Sequence, residues 1–298
     1  MPAITRSLLP RAYRPGLYRV FGNSYAEHPT EFNKLYDIAT SDKNYEETLE
    51  TSALGLAPQK PESSGILFDT VRQGGVNRAD HISYALGFIV SREAIDDLLY
   101  EEVGIKNTKS LARSMRITKE KVAASGYDNA TAAGVTYGDG QPLLSTSHPS
   151  LAGSQSNLLT GDISEAALEA GAIAIAQMKN NRGLQIAGRV ARLIVPVSSM
   201  FDQQRILGSV LRVGTANNDI NALAVMGVVP EVHINHYIED QDSWFLRTDI
   251  EGAKLFERTP LEFGQYPDND TMNVKFYAYE RYVPTFDDFR SVFGSVGV

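Results

Sequence analysis

The chain contains no cysteine. That absence removes disulfides, zinc–thiolate centres and thiol nucleophiles together, and it suits a protein made in the cytosol. Long apolar runs are missing too: no stretch approaches the ~20 residues that a membrane span needs, so no membrane partner is expected. The N-terminus, MPAITRSLLPRAYRPG, lacks a continuous apolar core, and no secretory signal is expected from it. Histidine is scarce, with five residues in all. A basic surplus is also lacking, since the formal net charge is −8, which argues against a general nucleic-acid-binding surface. The charge is unevenly placed, however. Residues 1–26 hold Arg6, Arg11, Arg14 and Arg19 and no acidic residue before Glu27.

What is present is ordinary for a globular protein. The 298 residues are 43% hydrophobic and 21% charged, enough for one large or two ordinary domains with a real core. Residues 1–60 are punctuated by Pro10, Pro15, Pro29 and Pro58. They read as an extended arm with one short helical candidate around Glu27–Ile38. Ile82, Tyr84, Leu86, Phe88 and Val90 alternate with Ser83, Ala85, Gly87 and Ile89, the period of a strand. Ile66–Arg72 is a second strand candidate, and QGGVNRAD between the two supplies Gly74-Gly75 as a turn. Together they predict a long β-hairpin whose apolar face needs another surface.

Ser91 is placed to cap a helix, or two in line, over roughly 92–124, with acidic residues in its first turn. Asp162, with Glu165 three residues on, is expected to cap an Ala-rich helix bearing Leu168, Ala172 and Ile175. Leu193–Val197 reads as a strand and Phe201–Leu211 as a helix. Val232, Ile234, His236 and Ile238 would line another strand, and Asn273–Val283 a last aromatic one. Interleaving without regular βαβ spacing predicts an α+β fold.

The chemistry search finds little. No phosphate loop and no G-x-S-x-G elbow occurs. Gly138-Asp139-Gly140 opens like a dinucleotide fingerprint, but Leu143 stands where the third glycine belongs, leaving a turn. His233 and His236 on one strand would point to opposite faces and could not share a metal ion. Asp240/Asp242 and Asp268/Asp270 lack the glycine and terminal Glu of a calcium loop. His148 near Asp139 is the one pair from which a metal-dependent hydrolase could be built, but the sequence nominates no partner base or metal, and a loop histidine held by hydrogen bonds is the preferred reading. No catalytic residue, cofactor or metal is expected.

Local sequences then point to a family. FIVSREAIDDLLY, followed by SLARSMRITKEKVAASG, resembles the hairpin-to-helix stretch of Mu-like phage major head proteins. DGQPLLSTSHPSLAGSQSNLLTGDISEAALEAG, ARLIVPVSSMFDQQRILGS, TANNDINAL, EDQDSWFLRTDIEGAKLFER and NVKFYAYERYVPTFDDFRSVFGS resemble later segments of that family in order. The likeness covers roughly residues 80–298. The departures are local: SGYDNAT is poor in asparagine, and Val197-Ser198 follows Pro196 where a second proline is often seen.

The resemblance implies the Hong Kong 97-type fold of tailed-phage capsids. Residues 1–46 would be an N-terminal arm and 47–90 an extended loop containing the hairpin. Residues 91–162 and 255–298 would form a peripheral domain built on a spine helix, and 163–254 an axial domain. The function implied is a major capsid protein of the virion, assembled in the host cytoplasm. Pentamers and hexamers would close an icosahedral shell around double-stranded DNA, bound without sequence specificity, with scaffold, portal or decoration proteins as further partners. An encapsulin-like compartment on the same fold is the near alternative. Arg72 and Arg78 near the hairpin tip would meet a neighbour's carboxylates, and Ile82, Tyr84, Leu86 and Phe88 would be covered by that neighbour. The arm, with Arg6, Arg11, Arg14, Arg19 and Phe21, would line the shell or, in preference, dock under the next subunit's spine helix.

Overall fold

A computed structural model describes residues 10–96, 100–151, 153–211, 219–268 and 270–297. The chain opens with helix α1 (Pro10–Tyr25), a single-turn helix α2 (Phe32–Leu35) and strand β1 (Asp37–Thr40). Strands β2 (Tyr45–Thr51), β3 (Gln73–Asp80) and β4 (Ile82–Val90) follow. Next come α3 (Arg92–Asp96), the spine helix α4 (Tyr100–Asp128) and α5 (Glu165–Ala176). Beyond them lie β5 (Val190–Pro196), α6 (Met200–Gly208), α7 (Ala222–Met226), β6 (Val232–Asn235) and β7 (Trp244–Thr248). The long pair β8 (Ala253–Pro267) and β9 (Val274–Phe286) precedes a final strand, β10 (Val292–Ser295).

The strands form two four-stranded sheets, ordered β1-β8-β9-β4 and β10-β7-β5-β6, and a separate β2–β3 ribbon. Helix α4 lies on the first sheet. Its buried positions, Leu111, Ala112, Met115, Ala123, Ala124 and Tyr127, recur at three- and four-residue steps, which puts them on one face. Gly126 belongs to that face because a Cβ there would stand 2.3 Å from the Tyr36 hydroxyl. Tyr36 donates that hydroxyl to the Ala123 carbonyl at 3.0 Å. Trp244, Leu246, Phe293, Leu193 and Leu168 form the core between α5 and the second sheet. Residues 292–295, counted with the first unit in the sequence, pair with β7 and so belong to the second sheet.

The α+β reading and the spine helix hold, and Ser91 caps the short helix α3, its Oγ accepting from the Ala94 amide at 3.3 Å. Gly104 and Asn107 do not interrupt α4. Elsewhere the boundaries shift. Ser164 and not Asp162 caps α5, accepting from the Ala167 amide. Strand β6 stops at Asn235, whose Oδ1 accepts from the amides of Tyr237 and Ile238 at 2.8 and 3.0 Å. That turn carries His236 out of the strand.

Two corrections are larger. The arm is not extended throughout, because residues 10–25 form a helix. Leu17 and Phe21 pack on Leu111, Met115 and Phe263 of the same chain. The hairpin is also made of other strands. QGGVNRAD is no turn; it is strand β3, paired antiparallel with β2. Ile82–Val90 leaves the hairpin and pairs antiparallel with β9 over its whole length. Ile66–Arg72 is not a strand but part of the long connection between β2 and β3.

Candidate assembly surfaces and the seat of the hairpin

The connection at residues 52–72 exposes several large apolar side chains. Leu56, Ile66, Leu67 and Phe68 are 80%, 71%, 76% and 89% exposed. Its base is anchored: Arg182 pairs with Asp69 at 3.0 Å, and Asp69 accepts from the Gly55 amide at 2.9 Å. Side chains of this size rarely stand free together on a monomer without a partner surface.

Sequence-selected contact residues fall in two groups. Tyr84 stacks on Tyr282 and Phe88 on Phe276, with ring centroids 4.7 and 4.9 Å apart. Those rings are therefore partly covered by the chain's own first sheet. Ile82 and Leu86, with Ile89, remain exposed on β4, which is the outer strand of its sheet. Neither arginine sits at the tip. Arg72 stands where the 52–72 connection rejoins the ribbon, its amide donating to Ser52 Oγ at 2.8 Å. Arg78 lies at the other end of β3, paired with Asp80 at 3.0 Å and set over the Tyr45 ring at 4.0 Å.

In the arm, Arg6 lies outside the described residues. Arg11 and Arg14 fall in the first turns of α1, and Arg19 is exposed. Phe21 stacks on Phe263, with centroids 4.6 Å apart. The arm is tied to the spine by polar contacts that residue patterns alone do not reveal. Glu120 of α4 accepts from the amides of Glu31 and Phe32, both at 2.8 Å, and so caps α2 from a distance. Arg113 grips Glu27 with two bonds of 2.9 and 3.0 Å. Within the single chain, residues 10–25 dock on its own spine helix.

The hairpin is seated on a loop that the sequence marked for another reason. Gly75 of β3 meets the chain at Gly138 so closely that a Cβ on Gly75 would lie 1.7 Å from the Gly138 carbonyl oxygen. The glycine pair read as a turn thus serves a close backbone crossing. Beside it, Asn77 donates to Thr285 Oγ1 and to the Phe286 carbonyl at 2.9 and 3.1 Å. Glu50 of β2 accepts from Asn181 at 2.8 Å, and Arg290 reaches Asn181 Oδ1 at 2.5 Å.

His148 and Asp139 lie in this seat and are in contact, Nδ1 to Oδ2, at 2.5 Å. The other ring nitrogen meets Asn157 Oδ1 at 2.9 Å, and the ring lies flat on Phe289 at 3.9 Å. Both nitrogens are engaged and the histidine is fully buried, so neither is open to a substrate or metal. The hydrolase reading of this pair is withdrawn. His233 and His236 do not point apart as expected: both approach Glu31, at 3.9 and 2.7 Å. Among the described residues no group of three or more metal-ligating side chains is placed to hold an ion. No described helix is long and apolar enough to cross a membrane.

A family model described as phage capsid protein matches residues 78–294. The chain belongs to that family. It is a major capsid protein, a structural subunit of a phage head shell and not an enzyme. Among curated proteins none matches at significant similarity. Of solved structures, the virus-like particle from Pyrococcus furiosus aligns with a TM-score of 0.58 at 8% identity, covering 95% of this chain and 99% of that one. The mature capsid of bacteriophage PhiM1 aligns with a TM-score of 0.57 at 11% identity, covering 90% and 87%. The procapsid of bacteriophage JBD30 gives 0.54 at 13%, covering 98% and 76%. These likenesses establish the fold, which is of the Hong Kong 97 type.

Proposed function

We propose that this capsid subunit closes an icosahedral shell of pentamers and hexamers around double-stranded DNA, and that neighbouring copies meet through loop 52–72 and the outer edge of β4. The observation that carries this reading is the exposed apolar set Leu56, Ile66, Leu67 and Phe68, which the chain's own fold leaves uncovered. Edge strand β4 offers a matching surface, a row of backbone groups beside exposed Ile82, Leu86 and Ile89, and extended segments add readily to such edges.

In this arrangement residues 1–46 act as the arm, 47–81 as the extended loop, 82–162 with 255–291 as the peripheral unit, and 163–254 with 292–295 as the axial unit. Weak contacts repeated around a closed symmetric shell sum to a stable particle while single errors stay reversible. The acidic balance of the chain fits enclosure of DNA without tight binding. Assembly takes place in the host cytoplasm, and scaffold, portal and decoration proteins are the partners such a shell would take.

Electron microscopy of the purified full-length protein tests the reading. Closed icosahedral particles are expected. A protein that stays monomeric under all assembly conditions overturns it. Particles isolated from the native source should contain double-stranded DNA, and an enzyme cargo in place of DNA would move the protein to an encapsulin-like compartment.

A further inference from the structure

Asn157 fixes the protonation of His148 by its own bonds. Its Nδ2 donates to the carbonyls of Leu143, Phe289 and Val292 at 2.7, 3.1 and 3.0 Å. Exchanging the amide's oxygen and nitrogen would set an oxygen against three carbonyl oxygens, so the orientation is determined. Oδ1 therefore faces the other way, accepting from the Ser145 amide at 2.9 Å and meeting His148 Nε2 at 2.9 Å. An amide oxygen only accepts, so Nε2 must bear a proton. On the opposite side of the ring Nδ1 faces the Asp139 carboxylate at 2.5 Å, which also only accepts when ionised.

Asp139 is the ionised partner. Burial opposes its charge, but the bonds from His148 and the Gln141 amide outweigh it and hold the carboxyl below the usual carboxylate range. The other charged groups around the ring have partners of their own. Asp288 pairs with Arg290 at 3.0 Å, Asp287 with Lys254 at 3.4 Å, and Glu50 lies 3.9 Å from Arg290. Tyr137 also lines the cleft, and burial pushes its hydroxyl up to about 12. Among the described ion pairs the partner of Asp139 is His148, which is charged only when both ring nitrogens are protonated.

We propose that His148 carries both ring protons in the folded subunit and, clasped between Asp139 and Asn157, acts as a positioning residue for the Gly138 carbonyl on which the hairpin sits. Losing either ring proton would leave a bare nitrogen facing an acceptor, Asp139 or Asn157. Either pairing is repulsive in a buried site. The loop around residues 137–141 would then loosen, and with it the crossing of Gly75 over Gly138. Hairpin placement thus becomes dependent on one buried proton.

The test uses full-length protein labelled with [15N]histidine. At about pH 7, where a free imidazole is mostly neutral, His148 should show two protonated nitrogens, assigned by comparison with His148→Gln. Asp139→Asn keeps the shape of the partner and removes its charge. It should convert His148 to the neutral Nε2–H tautomer, whose Nδ1 can accept from the new amide, so the clasp and the exchange at 73–80 should stay near the parent's. His148→Leu breaks both bonds and should speed amide hydrogen exchange across residues 73–80 by about tenfold, measured at the same pH. A neutral His148 in the unaltered protein overturns the proposal. So does unchanged exchange at 73–80 in His148→Leu. Should that variant not fold, the unaltered protein decides: exchange at 73–80, corrected for intrinsic rates, must rise over the pH range in which the His148 nitrogen signals change, and a flat profile overturns the proposal. Neither measurement needs a particle, so both can be read whether or not the chain closes a shell.

Discussion

Gly75 and Gly138 meet backbone against backbone, and neither has a side chain to hold the strands apart. Any Cβ at position 75 would fall 1.7 Å from the Gly138 carbonyl oxygen, a separation no rotamer relieves because the opposing atom is main chain. Gly75→Ala must move the hairpin, the loop or both. Overpacking of this kind costs about 1–3 kcal/mol, and here it falls on the element proposed to reach the next subunit. The expected outcome is a protein that folds with a lowered melting temperature and assembles poorly. Thermal unfolding and particle yield, measured together, check it; normal yields of normal particles would contradict the seat.

Loop 52–72 makes the opposite kind of prediction. Phe68 is 89% exposed, so Phe68→Asp removes almost nothing that the single subunit buries, and its stability should change by less than about 0.5 kcal/mol. If the loop is covered by a neighbour, the same change buries a carboxylate in an apolar contact and should abolish or strongly reduce assembly. Circular dichroism melts paired with sedimentation of assembly reactions separate the two effects. A variant that assembles like the parent would remove loop 52–72 from the proposed interface.

Phe21 offers a test of the arm. It is buried against Leu111, Met115 and Phe263, where truncation of an aromatic costs about 3–5 kcal/mol if the whole fold feels it. Helix α1 packs mainly on α4, so the loss should appear first as local release of residues 10–25 and not as global unfolding. Hydrogen exchange in Phe21→Ala should rise through 10–25 while the α4 positions Ala123 and Ala124 stay protected. Uniform loss of protection would show instead that the arm is integral to the core.

These sites also show what the sequence could disclose. Spine helix, aromatic strand β9 and Ala-rich helix were legible because each carries its own hydrophobic period. The hairpin was misassigned because β4 alternates like a hairpin strand but finds its partner in β9, nearly two hundred residues away. Gly74-Gly75 looked like a turn because the other use of glycine, close backbone approach, depends on what lies opposite. Helix α1 was missed for a related reason. Two prolines broke its pattern, although Leu17 and Phe21 stand four residues apart, the spacing of one helical face. His148 and Asp139 were singled out as a pair, yet Asn157, which completes the seat, carries no signal of its own. Only the fold brings the Leu143, Phe289 and Val292 carbonyls around its amide.

Glu280 gives the last prediction, and its sign can be worked out in full. The carboxylate is buried on β9, both oxygens lack a hydrogen-bond partner, and the nearest cation is Lys119 at 3.4 Å. Lys119 itself sits closer to Glu257, at 2.5 Å. Burial raises the Glu280 pKa, and the attraction of Lys119 only partly offsets that. A carboxyl whose folded pKa lies above its unfolded one binds a proton in the native state that the unfolded chain has already released. Stability from this group is then full at pH below the unfolded value and declines as pH rises towards the folded value. Glu280→Gln keeps the shape and cannot ionise. Its melting temperature should match the parent's on the acid side and exceed it at pH 8, about 1–3 kcal/mol being typical of an unpaired buried group. Melts of both proteins from about pH 4 to 8, spanning the ordinary carboxylate range and beyond, measure the difference. A variant less stable than the parent at pH 8 would mean that the ion pair with Lys119, and not the cost of burying the charge, dominates at this site.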